Sequence, residues 1–270
     1  METLLHTDQL GRQVVIPFPP RRIVSLVPSQ TELLYHLGLN SEVVGITKFC
    51  RHPEQWFREK TRIGGTKQLH LDAIKALRPD LVIANKEENE RWQVNELMES
   101  CPVWVSNIHN LQEALEMIRG VGAITGKAEA AEEIAGTITQ RFSSLAVWEG
   151  AAPLRTAYFI WKDPWMVAGG DTFIHTMLET CGLSNVFGGM SRYPEITIEQ
   201  LQAADCQLVL LSSEPYPFAE KHAAMLREQL PGTQIMLVDG EMFSWYGSRL
   251  LEAPGYFSRF MEEVKLKNYE

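Results

Sequence analysis

Short apolar runs alternate with amphipathic segments along most of the chain, and the runs fall into two series. The first series lies near residues 23–27, 43–47, 81–84 and 103–106, followed by a predicted helix at 111–123. The second lies near residues 155–161, 165–168, 208–212 and 235–238, before a predicted helix over about 249–266. Strands that alternate with helices are typical of an α/β protein with parallel sheets. The 270 residues could build one large domain or two of ordinary size.

One strand-to-helix junction stands out near the start of the first series. Residues 23–27 are short and β-branched, and Pro28 ends the run. Ser29 and Glu32 have the spacing of a capping box, and Gly38 follows as a C-cap. We expect this junction to direct free backbone N–H groups toward whatever lies above the strand.

Between the two series, Thr125-Gly126-Lys127 is followed by a helical pattern without proline that continues to Trp148. Its apolar stripe consists of Ala131, Ile134, Ala135, Ile138, Phe142 and Leu145. At 1.5 Å per residue such a helix would be roughly 33 Å long. The pattern alone fits a helix that carries the chain from one lobe to another, and it equally fits a crossover helix on a single sheet.

Charge and cysteine content narrow the classes of partner. The formal net charge is −9, and no Lys/Arg cluster rises above the acidic background, which excludes nucleic acid and anionic membrane surfaces as expected partners. The four cysteines are scattered and form no CxxC pair, so we expect buried free thiols instead of a disulfide framework or a zinc site.

Motifs for catalysis and for direct metal binding are missing from the sequence. It contains no G-x-S-x-G, P-loop or HExxH pattern, and its seven histidines form no HxxxH or HxH pair. Gly169 and Gly170 precede Asp171 without the spacing of a nucleotide-binding fingerprint, so we interpret Asp171 as an N-cap and the glycines as room for a close turn. We therefore expect a protein that is not an enzyme and holds no metal of its own.

Several motifs, taken in order, carry a resemblance to a known family. They are Asp8-Gln9-Leu10-Gly11-Arg12, the junction at 21–38, Leu77-Arg78-Pro79-Asp80-Leu81-Val82-Ile83-Ala84, Gly169-Gly170-Asp171-Thr172-Phe173 and Cys181-Gly182-Leu183-Ser184-Asn185-Val186-Phe187. The chain resembles the helical-backbone binding proteins that supply cobalamin, siderophore or haem importers of the ATP-binding-cassette (ABC) type. Residues 89–97 and the tail around Phe243 and Arg249 are most similar to the cobalamin binders.

The resemblance implies a fold and a function. The fold is α/β, with two Rossmann-like lobes of mostly parallel sheet joined by one long backbone helix, divided as 1–124, 125–149 and 150–270. The function is capture of a metal chelate in the interlobe cleft, cobalamin or another corrinoid first, for delivery to an ABC permease. Two alternatives stay open: ferric siderophore or haem binding, and an intracellular corrinoid-handling enzyme or chaperone. No intrinsic cofactor is implied beyond the cobalt or iron chelate bound as cargo, and we expect a monomer.

Ligands of open α/β sheets bind beyond the carboxyl ends of the strands, which selects candidate residues in both lobes. The first lobe contributes Pro28, Ser29, Gln30, Phe49, Arg51, His52, Gly65, Thr66, Asn85 and Lys86. The second contributes Trp161, Trp165, Arg192, Tyr193, Glu214, Tyr216, Phe243, Trp245 and Tyr246. The aromatic rings of the second set suit a flat macrocycle, although such rings are also common in cores. Where cobalamin binders often carry an aromatic residue, this chain has Asn85.

Some candidates have more specific roles. Arg51, Lys86 and Arg192 could clamp carboxylate, phosphate or amide groups, or could be solvated surface charges. Cys50 or His52 could supply an axial ligand to cobalt or iron. Three tyrosines are weaker candidates for haem iron: Tyr193, Tyr216 and Tyr246.

The resemblance also implies a docking mode and bears on the compartment. Cobalamin-binding relatives present one acidic residue on each lobe to the permease, for which this chain offers Glu90, or its neighbours Glu87 and Glu88, and Glu214 or Glu220. Family members are periplasmic or surface-tethered, but residues 1–13 lack the pattern of a secretory signal. Either a signal has been removed or the chain is a cytoplasmic homologue, and the sequence leaves both open.

Overall fold

The computed structural model describes residues 2–145 and 152–267. Contacts divide these residues into two units. The first unit comprises residues 2–108, Gln112–Gln140 and Trp245–Leu251, and the second comprises His109–Leu111, Arg141–Ser244 without the gap at 146–151, and residues 252–267. The predicted division at 125 and 150 therefore differs from the contact units most clearly at Trp245–Leu251, a late segment that packs in the first unit.

The first unit contains a small hairpin and a five-stranded parallel sheet. The hairpin pairs β1 (Thr3–Thr7) with β2 (Gln13–Pro17) in antiparallel register. The sheet strands are β3 (Ile23–Ser25), β4 (Val43–Ile46), β5 (Thr61–Arg62), β6 (Leu81–Asn85) and β7 (Val103–Ser106), in the order β5-β4-β3-β6-β7. Strands β3 and β6 are fully buried and rich in Val and Ile, as expected of a parallel sheet covered on both faces.

Six helices follow these strands. They are α1 (Pro28–His36), α2 (Glu54–Glu59), α3 (Leu71–Ala76), α4 (Arg91–Met98), α5 (Leu111–Thr125) and α6 (Ala128–Ser143). The chain passes from the first unit to the second within α6.

The second unit is built on a second parallel sheet. Its strands are β8 (Leu154–Trp161), β9 (Met166–Val167), β10 (Leu183–Asn185), β11 (Leu208–Ser212) and β12 (Gln234–Val238). The order is β10-β8-β11-β12, and β9 runs antiparallel beside the end of β8. The helices are α7 (Phe173–Thr180), α8 (Ile198–Ala203), α9 (Glu220–Gln229), α10 (Gly240–Ser244) and α11 (Ala253–Lys267). The α/β class and the parallel sheets predicted from the sequence are confirmed.

Each sheet has a point at which its strand order reverses. In the first unit the reversal lies between β3 and β6, and in the second it lies between β8 and β11. The crevice outside the carboxyl ends of such neighbouring strands is the usual ligand position in open α/β sheets. The loops after β3 and β6, and those after β8 and β11, are therefore the places to look for a site.

Several predicted helix boundaries are wrong, for identifiable reasons. Helix α1 begins at Pro28 itself, with Val27 as N-cap and no side-chain cap, because proline is well suited to the first helical position. Its Glu32 is used elsewhere and forms no capping box. Helix α7 is capped by Thr172, whose Oγ1 accepts from His175 N at 3.2 Å, and not by Asp171.

The helix predicted to run from just after Lys127 to Trp148 begins as expected, at Ala128, but α6 already ends at Ser143. Gly126 adopts a φ of +73°, which ends α5 and separates it from α6. The 16 residues of α6 span about 24 Å. Residues 146–148 of the prediction, and the predicted boundary at 149–150, lie outside the described residues. The last predicted helix is likewise divided, into a 3₁₀ turn at Ser248–Leu251 and α11.

Candidate functional site

A buried polar network fills the carboxyl end of the first sheet at its reversal point. Asn85 Nδ2 donates to Ser106 Oγ at 3.0 Å, and Gln30 Nε2 donates to the same oxygen. Asn85 Oδ1 accepts the backbone N–H groups of Glu87 at 2.8 Å and Glu88 at 3.0 Å. Asn85 and Gln30 are both buried. These hydrogen bonds therefore shape the loop after β6, and the Asn85 amide is bonded to other groups of the protein.

The segment Trp245–Leu251, here the late segment, covers the same end of the first sheet. Tyr246 Oη donates to Glu88 Oε1 at 2.8 Å, and Ser248 Oγ lies 2.8 Å from His36 Nδ1. Gly247 packs so closely on α1 that a Cβ there would collide with the carbonyl oxygen of Ser29. Trp245 contacts the edge of His52 at a ring-centroid distance of 5.8 Å.

Several residues that were predicted to contact the ligand in the first unit therefore contact other parts of the chain. Pro28, Ser29, Trp245 and Tyr246 are buried, and Trp245 and Tyr246 belong to the first unit although the sequence assigned them to the second lobe. Burial raises the pKa of Tyr246 well above its usual range. Its hydroxyl remains a protonated donor to Glu88, which does not suit it to bind haem iron as a phenolate.

An exposed aromatic and several cations remain at the carboxyl end of the first sheet. Phe49 is 48% exposed, lies against Gly65, and has Lys48 Nζ 5.1 Å from its ring centroid. Arg51 and Lys86 are exposed, and Thr66 and His52 are half-buried. These side chains can offer a ring face and positive charge to a ligand.

Cys50 is poorly placed to act as a metal ligand. Its side chain is buried, with the hydroxyls of Thr31 and Thr47 each 3.1 Å from Sγ. Burial raises the pKa of the Cys50 thiol to about 11, so the thiolate that binds metals is scarce near neutral pH. Within residues 2–145 and 152–267, no group of three or more His, Cys, Asp or Glu side chains is arranged to hold a metal ion.

The carboxyl end of the second sheet carries an aromatic cluster at its reversal point. Trp161 ends β8 and is 39% exposed, and its ring meets Tyr216 edge-on at 5.5 Å. Tyr216 packs on Phe218 at 4.8 Å, and Phe218 stacks on Trp165 at 6.1 Å. The second-lobe prediction thus brings Trp161, Trp165 and Tyr216 together in one place.

Three further side chains, which were not among the predicted site residues, join this cluster. Phe218 is buried under Trp165 and Tyr216, and Lys162 Nζ lies 5.4 Å from the Trp165 ring. His222 Nε2 lies 3.4 Å from Tyr216 Oη. Tyr216 and Phe218 lie in the loop between β11 and α9, and His222 lies in the first turn of α9. Their position was a signal, because the loop after a strand and the first turn of the next helix face the carboxyl edge of a parallel sheet.

Two other candidates of the second unit have structural roles. Phe243 is fully buried between Tyr158, Phe257 and Phe260, so its ring belongs to the core and not to a ligand surface. Glu214 is half-buried and accepts a hydrogen bond from Ser244 Oγ at 3.0 Å. Its carboxylate is fixed near the cluster after β11.

Arg192 and Tyr193 belong to a loop that packs on the two glycines after β9. Gly169 N donates to Arg192 O at 2.8 Å, and Asp171 Oδ1 accepts the backbone N–H of Arg192, which has a φ of +61°. Any side chain at Gly169 or Gly170 would collide with this loop, so the predicted close turn is present. Arg192 is exposed and Tyr193 half-buried.

The acidic residues predicted to dock on a permease have partners in their own units. Glu90 Oε1 lies 3.5 Å from Lys67 Nζ, and Glu220 pairs with Arg227. All of these side chains are at least two-fifths exposed, so they stay accessible. No helix in the described part of the chain is long and apolar enough to cross a membrane.

Comparisons with known proteins agree with this architecture. The sequence pattern of the family described as periplasmic binding protein matches residues 23–231. The vitamin B12-binding protein of Vibrio cholerae serotype O1 is 26% identical over 199 residues, covering 73% of this chain and 72% of the relative. The crystal structure of the periplasmic vitamin B12 binding protein of Vibrio cholerae superposes with a TM-score of 0.78 at 21% identity, covering 92% of this chain and 99% of that one. A periplasmic haem-binding protein from Pseudomonas aeruginosa superposes with a TM-score of 0.77 at 23% identity, covering 89% and 92%.

Proposed function

Because the chain belongs to the periplasmic binding protein family, we propose that it captures cobalamin or another corrinoid and delivers it to an ABC importer. The family binds solutes and does not transform them, so the chain is a binding protein and not an enzyme, as predicted. Its relatives place it among solute-binding proteins of the cobalamin, haem and siderophore type. The choice of corrinoid rests on the vitamin B12-binding relatives together with the chemistry of the second unit.

The observation that carries the proposal is the aromatic cluster at the reversal point of the second sheet. Trp161 presents an exposed indole there, supported by Tyr216 behind it. Indole and phenol rings offer wide apolar faces with a polar tip at low cost in side-chain entropy. A flat chelate ring with amide or carboxylate groups at its rim fits that combination.

Haem or a ferric siderophore is the second candidate, and the exposed cations of the first unit favour haem. Lys48, Arg51 and Lys86 lie in the loops after β4 and β6. Each can form a charge-assisted hydrogen bond with a carboxylate, which haem carries and cyanocobalamin lacks. Asn85, in place of the aromatic residue that cobalamin binders often carry, is buried and bonded to its own loop, so it offers no ring face to a corrinoid.

Titration of the purified protein separates these candidates. Cyanocobalamin, haemin and ferrichrome are each added while tryptophan fluorescence is followed, and calorimetry gives the stoichiometry. Submicromolar one-to-one binding of cyanocobalamin supports the corrinoid proposal, whereas selective binding of haemin or ferrichrome moves the assignment to the second candidate. Absence of binding to all three would contradict the capture of a chelate, and chemical conversion of a bound chelate would point to the alternative of an intracellular enzyme.

Docking on a permease is proposed through Glu90 in the first unit and Glu214 or Glu220 in the second. The exposed side chains of Glu90 and Glu220 support the proposal, and Glu214 is half-buried. Charge reversal in the double variant Glu90→Lys, Glu220→Lys should abolish chelate uptake while leaving chelate affinity unchanged. The control is Glu132→Lys on α6, an exposed acidic residue that pairs with Arg119 of α5. Unchanged uptake in the double variant would contradict the docking assignment.

A further inference from the structure

His222 occupies an unusual position at the start of α9. It is the third residue of that helix, and its side chain is buried, with 6% of the residue exposed. Its Nδ1 accepts the backbone N–H of Ala219, the N-cap residue, at 2.9 Å. A ring nitrogen that accepts a hydrogen bond carries no hydrogen, so the neutral imidazole has its proton on Nε2.

The other ring nitrogen of His222 faces Tyr216. Nε2 lies 3.4 Å from Tyr216 Oη, and the two rings meet edge-on at 5.4 Å. With the tautomer fixed by Ala219, Nε2–H is the donor and the phenol oxygen the acceptor. The hydroxyl hydrogen of Tyr216 then points away from His222 and is available to another acceptor.

Resting on the proposed function, we infer that His222 is a positioning residue that holds Tyr216 as a hydrogen-bond donor to a carboxylate or amide oxygen at the rim of a bound planar chelate. Tyr216 also packs against Phe218 at 4.8 Å and Trp161 at 5.5 Å, so its ring has little freedom to turn. His222 touches the chelate only through Tyr216. This subsite therefore selects chelates that place an acceptor oxygen beside the aromatic cluster.

Protonation of His222 would disturb this arrangement. The imidazolium ion carries hydrogens on both nitrogens, so Nδ1–H would oppose the N–H of Ala219. The charged groups facing His222 are Lys221 on α9, and Lys162 and Asp163 in the loop after β8, and Tyr216 is the titratable group at Nε2. Burial, followed by the two lysines, lowers the pKa of His222. A cation in the first turn of a helix is disfavoured as well. Binding that depends on Tyr216 should weaken as His222 becomes protonated.

Two variants separate the positioning role from a structural one. His222→Gln keeps the helix cap, because a glutamine at the third helical position can accept the N–H of the N-cap residue. The His222→Gln substitution removes the imidazole donor and the group that takes up a proton at acid pH. Tyr216→Phe keeps the ring and its packing and removes only the hydroxyl. Each variant and the double variant are titrated with haemin, whose rim carries carboxylates, and with cyanocobalamin, whose rim carries amides.

We expect Tyr216→Phe to weaken binding about tenfold. His222→Gln should weaken binding by a smaller factor and should abolish the loss of affinity at acid pH. If His222 acts through the hydroxyl, the double variant binds as Tyr216→Phe does. Equal weakening by His222→Gln in the wild-type and Tyr216→Phe backgrounds, with the pH profile unchanged, would overturn the inference.

A measurement without any chelate keeps this test distinct from that of the proposed function. Long-range ¹H–¹⁵N NMR of the histidine-labelled full chain should show His222 with an unprotonated Nδ1 and a protonated Nε2 at neutral pH. A protonated Nδ1 would overturn the positioning role. The wild-type protein could show the expected tautomer and yet bind neither haemin nor cyanocobalamin. That result would contradict both the proposed function and the rim contact inferred from it. It would support only the orientation of Tyr216.

Discussion

Arg249 Nη2 donates to Glu32 Oε1 at 2.6 Å across a separation of 217 residues in the chain. The two side chains are only 11% and 10% exposed, and the guanidinium lies 5.3 Å from the centroid of the Trp245 ring. The pair joins α1 to the late segment within the first unit. The ion pair therefore fixes the segment that covers the carboxyl end of the first sheet.

Arg249→Met should destabilise the protein strongly, because it leaves the Glu32 carboxylate buried without its cation. Loss of one partner of a buried pair costs about 3–5 kcal/mol. The matched control is Arg227→Met, which removes the exposed pair with Glu220 and should cost about 0.5 kcal/mol. Urea unfolding measures both changes, and equal costs in the two variants would contradict a stabilising role for the buried pair.

Gly247→Ala should prevent the late segment from seating on α1. A Cβ at this position would lie only 2.4 Å from Ser29 O, a backbone atom of α1. We expect a loss of about 2 kcal/mol, typical of overpacking. Gly136→Ala in α6 is the control, since a Cβ there meets nothing within 4 Å and should stabilise the helix by about 1 kcal/mol. The same unfolding measurement compares them, and a neutral Gly247→Ala would show that the segment seats more loosely.

Periodicity predicts the parts of the fold that depend on local sequence. Strands β3, β6 and β11 are buried and dense in β-branched and leucine residues, and β8 is mostly buried and rich in aromatic residues. The positions of these four strands agree with the prediction to within two residues. Strands β1, β2, β5 and β10 were not predicted, because they are short or half-exposed and gain their order from pairing partners. The placement of Trp245–Leu251 in the first unit depends on long-range contacts such as Arg249–Glu32, which no local pattern records.

Cysteine reactivity should follow burial. Burial raises the pKa of all four thiols, to about 11 for Cys50 and Cys206 and to about 12 for Cys181, but only Cys101 is half-buried and the other three are buried. Because the thiolate is the reactive form, Cys101 should react first with a thiol reagent in the native protein and the other three only after unfolding. Mass spectrometry of labelled peptides identifies the order, and early labelling of Cys50 would contradict it.

Replacement of Cys50 tests its proposed alternative role as an axial ligand. Cys50→Ser keeps the hydrogen-bonding environment of Thr31 and Thr47, and we expect chelate affinity and the visible spectrum of bound haemin to be unchanged. A shift of the bound chelate's spectrum in Cys50→Ser would show that the thiol reaches the metal after all. His52→Ala serves as the parallel test for the neighbouring candidate.

Stability should decrease with acid, in part through His222. Its folded pKa is lowered from the ordinary 6.5, so below that value the unfolded chain takes up a proton that the folded chain does not. The stabilisation is complete above pH 6.5 and is lost as the pH falls toward the folded pKa. The free energy of unfolding, measured by urea at about pH 7.5 and about pH 5.5, should decline less in His222→Gln than in the wild type. An identical decline in both would exclude His222 as a contributor.

The site is less predictable from sequence than the fold. The rule that ligands bind at carboxyl ends selects the right loops, but it does not distinguish an exposed ring such as Trp161 from a buried one such as Phe243. The rule also does not show that the Asn85 amide hydrogen-bonds to its own loop, or that His222 lies behind Tyr216. These distinctions arise from packing between elements that are distant in the chain.

Trp161→Ala tests most directly whether the aromatic cluster of the second unit is the chelate-binding surface. Its affinity for cyanocobalamin and haemin is compared by calorimetry with that of the wild type and of Trp92→Ala, a variant of the 61%-exposed tryptophan on α4. We predict that Trp161→Ala raises the Kd of the bound chelate about tenfold to a hundredfold, while Trp92→Ala leaves it unchanged. Wild-type affinity in Trp161→Ala would contradict the assignment of the binding surface to this cluster.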